Sequence, residues 1–164
     1  MKKVLFVFAI AVASFTASAQ TTKGGTQFGG GVRVGLPVGT FGDLYSFGIG
    51  AELQAEHFFS PTVSGTFTTG YTHFIGKDFG GIKLPSFGAI PILAGVRVYP
   101  STSFFIGGKV GYSVFTGNAS GGGFTYEPQV GYNGSKFQLG LGYNGISDDG
   151  TLGHIGLTGI FKFN

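Results

Sequence analysis

One stretch constrains this chain more than any other, the segment from Gly123 to Tyr143. Alternate positions carry Phe124, Tyr126, Pro128, Val130 and Tyr132, then Phe137, Leu139, Leu141 and Tyr143. The positions between them carry Thr125, Glu127, Gln129, Gly131 and Asn133, then Gln138, Gly140 and Gly142. A period of two means strands with two unlike faces. Asn133-Gly134 between the halves predicts a tight hairpin turn. A soluble sheet turns its bulky face into a core. A membrane barrel turns it outward to lipid and keeps the small, polar face in its lumen. Which way the bulky side chains look therefore decides what such a chain does.

The start of the chain reads as an export address. Lys2-Lys3 precede an apolar run from Val4 to Ala13, and Ala17-Ser18-Ala19 fits an A-x-A cleavage site ahead of Gln20. That run is about half the roughly 20 residues a spanning helix needs. Residues 1–19 are thus expected to be a cleavable signal peptide, and residues 20–164 one barrel domain. The sequence has no cysteine, which excludes a lipid anchor and a disulfide framework. Losing Lys2 and Lys3 with the leader reduces the formal +3 to eight basic against seven acidic residues. No basic stripe remains, so nucleic acid is not an expected partner. Aromatics make up 16% of the chain against 10% charged residues, a balance that excludes disorder. No later segment has the apolar length of a transmembrane helix, so any crossing is by strands.

Eight strands are predicted, near Phe28–Leu36, Phe47–Phe58, Val63–Phe74, Gly88–Tyr99, Phe104–Phe115, Phe124–Asn133, Lys136–Ile146 and Gly153–Phe163. Their lengths suit tilted strands crossing a bilayer. Ser60-Pro61-Thr62, Pro100-Ser101-Thr102 and Asn133-Gly134-Ser135 read as minimal turns. Longer loops alternate with them, at Pro37–Ser46, Gly76–Phe87, Gly117–Gly123 and Ser147–Thr151. Unequal rims of this kind belong to outer-membrane barrels, whose short turns are periplasmic. An even strand number returns both termini to that side.

Alternation assigns Val32, Val34, Leu36, Ile49, Leu53, Val96, Val110, Leu157 and their phase-mates to lipid. Glycines including Gly48, Gly107, Gly131, Gly140, Gly142 and Gly156 go to the lumen, where they leave room for a few large polar groups. Aromatics gather at strand ends. Phe58, Phe59, Tyr99, Phe104, Tyr132, Phe137, Phe161 and Phe163 fall near the short-turn rim. Tyr45, Tyr71, Phe74, Phe87, Phe115, Phe124 and Tyr143 fall near the loop rim, completing two expected interfacial girdles. Pro91 and Pro128 sit inside strands, where each removes a ladder donor and predicts a bulge or irregular pairing.

The leader, the eight alternating strands, the unequal rims and the aromatic last strand Ile155–Phe163 together resemble the small outer-membrane β-barrels of the OmpA/OmpX type. The segments Gly31–Gly39 and Pro91–Arg97 share that likeness, which covers essentially all of residues 20–164. The resemblance implies an all-β fold, a closed antiparallel eight-stranded up-and-down transmembrane barrel in a Gram-negative outer membrane. It also implies contact with outer-membrane lipid, a monomeric state and insertion by the barrel-assembly machinery. Many members end on an aromatic residue, whereas here Asn164 follows Phe163. The peptidoglycan-binding domain of larger relatives is not expected, nor is the tethering it provides.

Six charges fall on the small-residue face: Arg33, Glu52, Glu56, Arg97, Lys109 and Glu127. Charges inside a membrane are costly and seek partners in an interior. Three of each sign in a narrow lumen predict a neutralised structural plug rather than an ion pathway. The expected pairs are Arg33–Glu52 and Lys109–Glu127 on adjacent strands, and Glu56–Arg97 across the lumen. No catalytic, cofactor or metal site is expected. His57, His73 and His154 have no metal-ligand spacing. Ser147, His154 and Asp148, with Glu127 in reach, are the candidates for a nucleophile, base and acid, but their spacing is not diagnostic. Gly140–Gly145 spells GxGxxG inside a strand, with no helix to receive a phosphate. The loops Gly76–Gly80 and Gly117–Gly123 are where surface recognition would sit. The leading reading is a non-enzymatic, structural or surface-presenting protein with a plugged or very narrow lumen. The alternatives are a soluble exported barrel holding a small apolar ligand, a lipid-modifying enzyme and a narrow pore.

Overall fold

The computed structural model describes residues 25–147 and 150–163. The expected signal peptide lies outside the described residues, as do Asp148 and Asn164. Eight long strands form the wall: β1 (Thr26–Val38), β2 (Tyr45–Ser60), β3 (Val63–Gly76), β4 (Phe87–Ser101), β5 (Phe104–Gly117), β6 (Gly122–Asn133), β7 (Phe137–Ser147) and β8 (Thr151–Lys162). Each pairs antiparallel with its neighbours in sequence, and β1 closes on β8 from Gly29 opposite Lys162 to Val38 opposite Gly153. All eight expected strands are present, most of them longer by one or two residues at an end.

The register sets the barrel's shape. Partners followed from Val38 run through Gly153, Gly145, Tyr126, Val110, Ala94, Phe67 and Ala55, and return to β1 at Phe28, ten residues lower. At about 3.3 Å per residue and about 4.8 Å between strands, this stagger tilts the strands by roughly 40° and gives a backbone radius of about 8 Å. A strand of twelve residues then rises roughly 30 Å, the thickness of a bilayer's hydrocarbon.

The wall's large apolar side chains point outward. Val32, Leu36, Ile49, Val96, Val110, Leu141 and Leu157 are exposed, while Arg33, Glu52, Gln129 and Thr158 at the opposite phase are buried. Such a face is a poor surface in water but a matched one in acyl chains. Closure leaves no open sheet edge, so the wall's backbone groups pair between strands without help from water except where two prolines interrupt a ladder. A soluble barrel needs the opposite orientation, so this is a transmembrane β-barrel.

The connections depart from expectation in detail. Gly39, at φ 60°, turns the chain after β1 into a five-residue helix, α1 (Thr40–Leu44), within the expected Pro37–Ser46 loop. A residue with a Cβ adopts that backbone only at a cost. So short a helix is unstable alone, and the burial of Phe41 anchors it. Between β3 and β4, Asp78–Phe79 pairs with Ile82–Lys83 as a small ribbon. The Asn133-Gly134 turn is looser than a two-residue hairpin. Its β7 strand resumes only at Phe137, whose carbonyl accepts from Gly134 N at 2.8 Å.

Neither strand proline makes a bulge. The β3–β4 ladder lapses opposite Ile90-Pro91 and the β6–β7 ladder lapses at Glu127-Pro128, and each resumes in the same register. On its other side Pro91 pairs with Ser113 and Pro128 with Gly108. A strand residue donates its N–H to one neighbour, so each proline weakens one ladder and leaves the other whole. The bulges occur instead near the rims, between Tyr45 and Gly48, Phe58 and Ser60, and Val98 and Ser101.

Candidate functional site

Inward positions on β1, β2, β5 and β6 bring four charges together. Arg33 Nη1 lies 2.9 Å from Glu52 Oε2, and its Nη2 lies 2.5 Å from Glu127 Oε2. Lys109 Nζ lies 3.1 Å from Glu52 Oε1 and 3.1 Å from Glu127 Oε1. Cations and anions thus alternate around a closed ring. Two sides of the ring join adjacent strands: Arg33 reaches Glu52 from β1 to β2, and Lys109 and Glu127 are register partners on β5 and β6. The other two sides, Arg33–Glu127 and Lys109–Glu52, cross the lumen, a connection the pairwise expectation did not contain. Asn144 Nδ2 adds a hydrogen bond to Glu127 Oε2 at 3.0 Å. All four charges are buried. In so dry a setting the ring is tolerable because it is neutral and its members are mutually bonded.

Toward the short turns lies a second cluster. Arg97 Nη1 is 2.9 Å from Glu56 Oε2. Only β3 separates their strands, so the pair meets across a short chord of the lumen. Three amides surround it. Arg97 donates to the Oε1 atoms of Gln54 (2.8 Å), Gln138 (3.1 Å) and Gln129 (3.3 Å), and Gln138 Nε2 donates to Glu56 Oε2 (2.8 Å). Ser64 Oγ (2.6 Å) and the Tyr99 hydroxyl donate to Glu56 Oε1. The guanidinium sits 4.2 Å above the Phe105 ring, adding a cation–π contact. At the short-turn mouth Lys162 Nζ donates to Asn133 Oδ1 (2.6 Å) and Gly134 O (2.8 Å). A search for charges alone misses Gln54, Gln129, Gln138 and Asn144. The signal that finds them is polarity in the inward phase.

Glycines make the room. Gly48, Gly35, Gly156 and Gly142 stand side by side on β2, β1, β8 and β7. A Cβ at Gly156 would fall 2.7 Å from Arg33 Nη2, and one at Gly142 would fall 3.1 Å from Glu127 Cγ. At Gly35 it would meet the His154 ring at 2.9 Å, and at Gly48 the Phe74 ring at 2.6 Å. Large side chains from other strands therefore lie flat on this bare strip of wall.

Toward the long loops the lumen turns apolar. Phe41 of α1, Phe74, Phe87, Phe115, Ala89 and Ile146 form a buried cluster, with Tyr45 and Leu152 packed against it. Phe41 meets Phe74 edge-on at 5.1 Å, Phe74 stacks on Phe87 at 5.4 Å, and Phe87 meets Phe115 edge-on at 5.5 Å. This corrects the expected girdle: Phe74, Phe87 and Phe115 have the lumen's phase and cap the barrel from inside. Tyr99 is inward at the other end for the same reason. The lipid-facing girdles that remain are Tyr71, Phe124 and Tyr143 at the loop rim, and Phe59, Phe104, Tyr132, Phe137, Phe161 and Phe163 at the turn rim.

Among the described residues, the catalytic candidates Ser147, His154 and Glu127 are engaged separately. His154 is buried beside Phe74 at 5.1 Å between rings, and its Nδ1 has no hydrogen-bond partner within the protein. Ser147 is exposed at the end of β7, and Glu127 is held in the ring. His57 Nδ1 pairs with Thr26 Oγ1 (2.9 Å) and His73 Nδ1 with the Tyr71 hydroxyl (3.4 Å). Among the described residues no cluster of ligating side chains could hold a metal ion. The letters of GxGxxG at Gly140–Gly145 run within β7, which leads to β8 and not to a helix.

No family model matches this sequence, and no curated protein does. Solved structures match it in shape. Ail of Yersinia pestis aligns with a TM-score of 0.61 at 15% identity, over 87% of this chain and 100% of that one. A de novo designed transmembrane β-barrel aligns at 0.54 and 17% identity, over 87% and 99%. OprG of Pseudomonas aeruginosa aligns at 0.52 and 14% identity, over 88% and 98%. This chain has the fold of the small outer-membrane β-barrels of the OmpA/OmpX type. At these identities the likeness concerns the fold alone, and fold does not dictate function.

Proposed function

We propose that this protein is a monomeric, non-enzymatic component of a Gram-negative outer membrane that supports the envelope and presents loops at the cell surface through a sealed barrel. Residues 1–19 direct export and are removed, and the barrel-assembly machinery inserts residues 20–164 with the long loops outward. The observation that carries this reading is the double closure of the lumen. An aromatic cap centred on Phe41 and Phe74 lies above, and the interlocked ion and amide clusters lie below. A conducting pore needs a continuous wet path, and two buried layers across the lumen argue against one. Ail has been seen with the heparin analogue sucrose octasulfate. Among the described residues, the loop end of this chain offers Lys77 and Lys83 against Asp43 and Asp78, with no net positive charge. That balance disfavours polyanions, so affinity for them is not carried over.

The test uses the refolded chain in a heat-modifiability gel and in planar bilayers. Unheated protein should run apart from the boiled form, as closed barrels do, and the bilayer current should stay featureless. Regular current steps of constant size would overturn the sealed reading.

A further inference from the structure

Between the four-charge ring and the Arg97–Glu56 cluster the lumen holds a cavity of about 10 Å³, bordered by Arg97, Gln129, Glu52, Glu127, Thr158 and Gly140. Two buried donors on its lining residues, Arg97 Nε and Gln129 Nε2, make no hydrogen bond within the protein. Both side chains are more than nine-tenths buried. The amide's orientation follows from its partner: Arg97 Nη2 donates to Gln129 Oε1, and arginine has no acceptor, so the NH₂ end is the unpaired one. Donors left unpaired at such depth bear a full desolvation cost, and in native structures they find partners. The wall beside them is bare. A Cβ at Gly140 would come no closer than 3.9 Å to Gln129 Oε1 and Phe105 Cζ.

We infer that this cavity is a binding site for one water molecule, accepting from Arg97 Nε and Gln129 Nε2 and donating to the acceptors opposite. Size supports this, since a space of roughly 10–15 Å³ holds a single water. Charge supports it too. Glu52 and Glu127 border the space and repel an anion, whereas Arg97 and Lys109 repel a cation. A neutral molecule that both accepts and donates fits between them. The water joins the two clusters into one hydrogen-bonded column, a role independent of what the surface loops do.

Gly140→Ala, Gly140→Ser and Gly159→Ala are compared with the parent by urea unfolding of the barrel refolded in lipid vesicles, and by crystal structures of parent crystals soaked in bromide. Gly159 is the control, because a Cβ there meets only Leu139 Cδ2, at 3.6 Å. It reports the usual gain when alanine replaces glycine in a compatible backbone. The expected result is a water peak within hydrogen-bond distance of Arg97 Nε and Gln129 Nε2, without bromine's anomalous signal. Gly140→Ala should lose that peak and unfold at lower urea than the parent. Gly140→Ser, whose hydroxyl takes the water's place, should recover the midpoint. A rise for Gly140→Ala equal to that for Gly159→Ala would mean a dry void filled by a methyl group. That rise, an empty cavity or a bromide peak would each overturn the proposal.

Discussion

Glu52 neutralises two cations at once, accepting Arg33 on one oxygen and Lys109 on the other. Glu52→Gln leaves both cations to share Glu127 in a buried setting. The expected cost is about 3–5 kcal/mol in urea unfolding of the refolded barrel, and a change below about 1 kcal/mol would show that the ring is wet. Gly156 tests the same ring from the wall. In Gly156→Ala the new methyl displaces an Arg33 guanidinium that two carboxylates hold, with an expected loss of about 1–3 kcal/mol in the same assay. The six charges were legible because a charge in an alternating strand is rare enough to stand out. Their geometry was less legible: which carboxylate oxygen meets which nitrogen across the lumen depends on the stagger around all eight strands.

At the level of elements, α1 is the part that no sequence pattern announced. Five residues are too few to establish a helical period, and Phe41 shares its loop with Val38, Leu44 and Tyr45, so nothing local marks it as the anchor. Its partners Phe74 and Phe87 arrive from β3 and β4. The wall closes without the helix, so the cap is expected to open as a local unit. Phe41→Ala should therefore speed amide exchange at Asp43, whose N–H bonds Gly39 O at 3.2 Å. The urea midpoint of the wall should stay unchanged. A midpoint that fell with the substitution would place α1 inside the barrel's cooperative unit. The strands themselves were readable because each repeats its two-face pattern over ten or more residues. Position along a strand puts Phe74 and Phe115 at the rim, but phase decides the face, and both lie on the inner side.

For the molecule as a whole, everything rests on the barrel's outer face being the greasy one. Spin labels at Leu139 and Leu141 should be relaxed by oxygen dissolved in lipid and shielded from an aqueous nickel chelate. Labels at Gln129 and Gln138 should report tight packing and neither relaxant. The reverse pattern would turn the barrel inside out and remove the basis for a membrane role. Eight strands with a ten-residue stagger enclose a lumen that a single layer of side chains fills, so the interior suits packing and hydrogen bonding better than transport.

What the amino-acid order determined alone was the strand pattern and its two chemistries. A strand's period of two is a property of local backbone geometry, so Leu139 and Gln138 announce opposite faces without any partner. Only the closed barrel decided which inward groups meet. Closure and stagger place Arg33 opposite Glu127, and Phe41 over Phe74. Contacts between residues so far apart in the chain follow from the curvature of the whole wall, which no local stretch encodes.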